Sequence, residues 1–108
     1  MAPRTVYADV QRLLDDSVGN AELPTHGAFW RTLTRDAFVV HRVFKCPLIS
    51  SDANGRFVGP DSPLVRILRG PIECPAGRPR PRMPVGLDPM PDANIQIISD
   101  WIDDQCPA

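Results

Sequence analysis

Cys46, Cys74 and Cys106 are the three cysteines of the chain, and His26 and His41 its two histidines. These are the side chains best suited to nucleophilic or metal chemistry. No two cysteines stand in Cys-x-x-Cys spacing, and neither histidine stands at a ligand spacing from a cysteine, so a tetrahedral zinc site lacks its signature. A cysteine nucleophile requires an adjacent base and a lowered pKa. His41 precedes Cys46 closely in sequence, but that proximity alone does not make a catalytic pair. No Ser/His/Asp set, phosphate-binding loop or carboxylate pair is present, so the sequence names no catalytic residue. With an odd number of cysteines and a reducing compartment, the expectation is three free thiols, with a disulfide as the alternative.

Two charged constellations remain. Arg78, Arg80 and Arg82 alternate with Pro79 and Pro81. In an extended, polyproline-like conformation such arginines splay outwards. They are the candidate partner-binding residues, suited to an acidic protein or a phosphate, with a solvated loop as the plainer reading. Asp100, Asp103 and Asp104 sit near the end of the last predicted helix, where the helix dipole disfavours negative charge. They answer either a basic partner or the arginine loop itself, intramolecular pairing being the simpler explanation.

The elements that must position these residues follow from pattern and punctuation. A chain of 108 residues with 43% hydrophobic content is read as a single domain, residues 1–108, with one modest core. The net charge of −1 lacks the basic footprint of nucleic-acid binding. No apolar run approaches the roughly 20 residues of a membrane helix. The acidic opening, with Asp9, Asp15 and Asp16, has no secretory h-region, so the cytoplasm is the expected compartment.

Val6, Val10, Leu13 and Leu14 predict an amphipathic helix from about Pro3 to Asp15, ended by Gly19-Asn20. Phe29 to Leu33 reads as a short helical turn. Thr34 is a suitable N-cap for a second helix running through Phe38 to His41. The run Val39 to Phe44 is β-branched enough to read alternatively as a strand, stopped by Pro47. Asn54-Gly55 marks a turn. Ser62-Pro63 starts a third helix, with Leu64, Val65 and Leu68 inside and Gly70-Pro71 closing it. Seven of the 13 prolines lie between Pro71 and Pro91, which predicts an ordered loop without regular structure. A last helix then begins at Pro91-Asp92 and buries Ile95, Ile98, Trp101 and Ile102.

The order of these pieces resembles a class I cytochrome c domain. Val10-Gln11-Arg12-Leu13-Leu14 looks like its first helix, and the Gly59 to Gly70 segment like its middle helix with the entry turn. Arg82-Met83-Pro84 and the helix ending Asp100-Trp101-Ile102 look like its ligand loop and closing helix. The resemblance implies an all-α fold, a small cytochrome c-like bundle of three to four helices with long Pro-rich loops. It also implies His26 and Met83 as the axial pair if haem is bound. Here Glu22-Leu23-Pro24-Thr25-His26 stands where Cys-x-x-Cys-His would attach haem covalently, and neither Glu22 nor Thr25 can form a thioether.

The resulting expectation is a haem-free accessory or interaction protein with no cofactor. The partner implied by the resemblance is an oxidoreductase or other metalloenzyme, met through the 71–91 loop and the start of the last helix. No nucleic acid and no membrane are involved. Trp30, Phe38 and Phe44 would fill the volume that haem vacates. The alternatives are an electron carrier holding haem non-covalently through His26 and Met83, and a ligand-binding or enzymatic use of the vacated pocket.

Overall fold

The computed structural model describes residues 4–19, 27–43, 45–74, 77–84 and 86–108. The first amphipathic stretch forms α1, Tyr7–Val18, which buries Tyr7, Val10, Leu14 and Val18. It starts later than its pattern suggests, because Asp9 accepts from the Val6 amide at 3.0 Å and caps the helix there. It also runs later, because Val18 extends the same apolar stripe one turn beyond Leu14.

A 3₁₀ turn at Phe29–Arg31 and α2, Arg35–Val39, follow. Thr34 caps α2 as expected, accepting from the Ala37 amide at 3.2 Å. The helix and strand readings of the next segment each hold for part of it. The helix stops at Val39, and β1, Arg42–Val43, then pairs antiparallel with β2, Cys46–Pro47. Phe44 lies outside the described residues.

The turn at Asn54-Gly55 joins β3, Ser50–Ser51, to β4, Phe57–Val58. Asp52 Oδ1 builds it by accepting from the amides of Asn54 at 2.8 Å and Arg56 at 3.1 Å. The third helix is α3, Pro63–Arg69, with Leu64, Val65 and Leu68 buried and Arg66 and Arg69 exposed. Ser62 does not cap it. Its hydroxyl instead accepts from the Ser50 amide at 3.0 Å and donates to the Val58 carbonyl at 2.7 Å. Ser62 therefore ties α3 to the preceding hairpin.

β5, Ile72–Glu73, pairs antiparallel with β6, Pro79–Arg80, and α4 spans Asp92–Asp103. The all-α expectation is therefore wrong: the described residues form four α-helices and three two-stranded antiparallel sheets. The expectation of no regular structure between Pro71 and Pro91 fails with it. Proline is tolerated in an edge strand, where the missing N–H costs no ladder bond, and Pro79 occupies such a place opposite Glu73. Each ladder holds two residue pairs, too short to leave a periodic signal in the sequence.

The core joins α1, α2, α3 and α4. Val10, Phe38, Val65, Ile98, Trp101, Ile102 and Cys106 are essentially inaccessible. Tyr7 stands between Phe38 and Trp101, with ring centroids 5.2 and 6.1 Å away. Trp30 and Phe38 are both core residues, as their bulk suggests.

The chain end closes this core. Gln105 and Cys106 take positive φ, 70° and 56°, a left-handed conformation that costs a non-glycine residue about 1–2 kcal/mol. Several bonds hold them there. Arg35 donates to the carbonyls of Cys106 at 2.7 Å and Gln105 at 2.9 Å. The Gln105 amide accepts from Phe57 N at 2.9 Å and donates to Phe57 O at 3.1 Å. The Tyr7 amide and the Trp101 indole both donate to the Pro107 carbonyl, at 3.0 and 2.9 Å.

Gly59 lets β4 lie against α4. A Cβ there would collide with the carbonyl and hydroxyl oxygens of Ser99, while one on Gly70 meets no atom within 4 Å. Gly59→Ala is expected to lower the unfolding free energy in urea by about 1–3 kcal/mol. Gly70→Ala should leave it unchanged or raise it by about 0.4 kcal/mol. Equal losses at the two positions would contradict this packing.

Candidate functional site

The expected free thiols are also corrected. Cys46 and Cys74 form a disulfide, with their Cα atoms 5.6 Å apart, inside the usual range for such a bond. The β1–β2 and β5–β6 hairpins bring together two residues 28 positions apart in sequence. Cys106 alone is free, and it is buried. Burial pushes its thiol up to about 12, with nearby Arg35 opposing the shift. None of the three is a thiolate nucleophile in this state. Among the described residues no group of three or more His, Cys, Asp or Glu side chains is placed to hold a metal ion.

His26 lies outside the described residues, so its relation to Met83 has no geometry to report. Met83 is half-buried, and its amide donates to the Ile67 carbonyl at 2.9 Å. The fully buried methionine nearby is Met90. His41 is half-buried against Phe29, with ring centroids 4.9 Å apart.

The arginine series does not splay out together. Arg78 is exposed, whereas Arg80 and Arg82 are half-buried and the prolines between them face solvent. Arg80 sits opposite the buried Ile72 in the ladder. The Arg82 guanidinium folds back towards the following turn, Nη2 donating to the Leu87 carbonyl at 3.4 Å. The Arg82 head group is drawn in with its stem, for Nη1 is buried and has no hydrogen-bond partner among the described residues.

Two cations absent from the sequence-based candidates join Arg78. Arg42 begins β1, and Lys45 occupies the reverse turn before β2 at φ 67°. Both are exposed, and Arg42 Nη1 donates to the Lys45 carbonyl at 3.3 Å. Lys45 is bonded to Cys46, and the Arg78 carbonyl accepts from the Cys74 amide at 3.1 Å. The disulfide thus brings Arg42, Lys45 and Arg78 to one edge of the molecule. Glu73 is the one acid within residues 42–47 and 72–82.

No protein-family model, curated protein or solved structure matches the chain. The site therefore rests on its own chemistry.

That chemistry is a contrast in pairing. Arg4, Arg12, Arg31, Arg35 and Arg69 each form an ion pair with an aspartate. Hydrogen bonds from Arg31 and Trp30 hold the Asp15 carboxyl below its ordinary range. Arg42, Lys45 and Arg78 form no ion pair among the described residues. Arg56 and Arg66 are also unpaired, but they stand apart on the β3–β4 turn and on α3. Val40, 75% exposed, is the most exposed large apolar side chain described and lies two residues before Arg42.

The acids of α4 serve the fold instead. Asp103 Oδ1 accepts from the Gly59 amide at 2.7 Å, Asp104 pairs with Arg4 at 2.6 Å, and Asp100 accepts from Gln96 at 2.8 Å. The simpler expectation, intramolecular use, holds for them, but their partners are not the arginines of the 78–82 segment.

Sulfur chemistry gives a direct check. Unreduced protein is expected to take no alkyl group from iodoacetamide while native, and one, at Cys106, once denatured. Labelling at Cys46 and Cys74 without reductant, read by peptide mass spectrometry, would contradict the pairing.

Proposed function

We propose that the protein is a haem-free accessory protein of the cytoplasm that acts by docking on a larger protein. Its contact surface is the edge formed by the two disulfide-linked hairpins. The observation that carries this reading is the gathering of Arg42, Lys45 and Arg78 beside Cys46–Cys74, each exposed and none neutralised by an acid of the described chain. Elsewhere most exposed arginines are already paired with aspartates. Unpaired charge gathered at one edge raises encounter rates and selects a complementary partner. The partner class implied by the cytochrome-like order of segments is an oxidoreductase or other metalloenzyme.

Nucleic acid fits the surface less well. Residues 83–108 carry Asp88, Asp92, Asp100, Asp103 and Asp104 and no cation, which would repel a phosphate backbone. No aromatic ring is among the exposed large hydrophobics of the described residues, so a stacking platform for bases is lacking. No helix of the described residues is long and apolar enough to cross a membrane.

Lys45 is the only lysine of the chain, so a cross-link that uses a side-chain amine of this protein marks Lys45. Carbodiimide treatment of a host extract is expected to join the Lys45 amine to Asp or Glu side chains of a larger metalloenzyme. The purified protein should show no Soret absorption. Cross-links that avoid Lys45, or a Soret band that survives dialysis and disappears in Met83→Ala, would overturn the proposal.

A further inference from the structure

We infer that the Cys46–Cys74 bond is a redox gate on this docking surface, which recognises a carboxylate-rich protein segment only when the bond is closed. The inference rests on the docking reading and adds to it the partner's chemistry and a means of control.

The β1–β2 and β5–β6 hairpins belong to separate two-stranded sheets and share no ladder hydrogen bonds. Each is two residue pairs long, and hairpins of that size have little stability of their own. The covalent link between them at this edge is the disulfide, whose two half-buried cysteines adjoin the cationic residues. Each hairpin also has its own tie to the body, since Val43 of β1 and Leu48 after β2 pack in the core and Ile72 of β5 is buried, while Tyr7, Phe38, Trp101 and the chain-end clasp make no use of either sulfur. Opening the bond therefore loosens the surface more than the fold.

The loosened surface loses a specific advantage. With the bond closed, Val40, Arg42 and Lys45 on one side and Arg78 on the other act as a single preorganised unit, an apolar anchor flanked by cations. A carboxylate-rich segment that meets one hairpin meets the second as an intramolecular event, at high effective concentration. With the bond open the hairpins bind independently, and the ordering cost returns. In a reducing compartment such a disulfide is characteristically reversible. The reaction is balanced by a dithiol: the Sγ–Sγ bond breaks, each sulfur gains one electron and one proton, and the dithiol closes to its own disulfide.

The probe is fluorescently labelled poly-L-glutamate, titrated into the full chain before and after reduction with dithiothreitol. Near-ultraviolet circular dichroism of Tyr7, Trp30 and Trp101 reports the core in the same samples. Reduction is expected to weaken binding about tenfold or more with the aromatic signal retained, and Cys46→Ser/Cys74→Ser should behave like the reduced protein. Arg42→Glu/Arg78→Glu should abolish binding to the oxidised form. Charge reversal that abolishes binding while reduction leaves it unchanged overturns the gate and spares the docking reading. If charge reversal has no effect, the docking reading fails and the gate with it. Loss of the aromatic signal on reduction would make the bond a structural staple and overturn the gate. Tighter binding of a labelled DNA duplex than of poly-L-glutamate would overturn the assigned partner chemistry.

Discussion

The structure depends on the clasp around Gln105 to Pro107. Here α1, α2 and β4 all meet the chain just beyond the helix that ends at Asp103. The chain turns back through two left-handed residues, Gln105 and Cys106, a conformation that persists only where surrounding bonds over-determine it. Arg35 from α2, the Phe57 backbone from β4, the Tyr7 amide from α1 and the Trp101 indole from α4 all end on these residues. The aromatic core lies directly beneath. Because these bonds come from four elements, the helices are fixed without any long strand.

That arrangement frees the opposite feature of the molecule, its unpaired cations. Asp15, Asp104, Asp92 and Asp103 are taken up by Arg31, Arg4, Arg69 and the Gly59 amide. Within residues 42–47 and 72–82 the only acid is Glu73. A chain with a net charge of −1 can therefore present a locally basic edge, because most of its acids lie in other segments and the cations at this edge form no ion pair among the described residues. Exposed ion pairs of this kind add little stability individually. Their larger effect is on where uncompensated charge remains.

How much of this was legible follows from which signals are local. The stripe Leu64, Val65, Leu68 and the stripe Ile95, Ile98, Trp101, Ile102 identify α3 and α4, since burial on one helix face leaves a 3.6-residue period. Thr34 marks α2 through its cap. Ser62 shows the limit, for the same hydroxyl that suits a cap is used to join two elements. Hairpins of two pairs leave no period, so β2 to β6 were not legible as strands, although the β-branched 39–44 run offered β1, and with the unseen strands went the disulfide. Had Cys46 and Cys74 been paired from sequence, Arg42, Lys45 and Arg78 would have stood out as one group. The alternation Arg78-Pro79-Arg80-Pro81-Arg82 misled in a different way: the prolines take the solvent side and turn Arg80 and Arg82 inwards. The cytochrome-like order of segments carried a fold expectation that the short sheets contradict.

The central claim is that the two hairpins form one docking surface for carboxylates. Amide chemical shifts recorded by nuclear magnetic resonance while poly-L-glutamate is added to the oxidised protein test it most directly. The account predicts that Arg42, Lys45, Cys74 and Arg78 shift together along a single binding curve, while Ile95 to Ile102 of α4 stay in place. Shifts confined to other elements, or separate curves for the two hairpins, would contradict it.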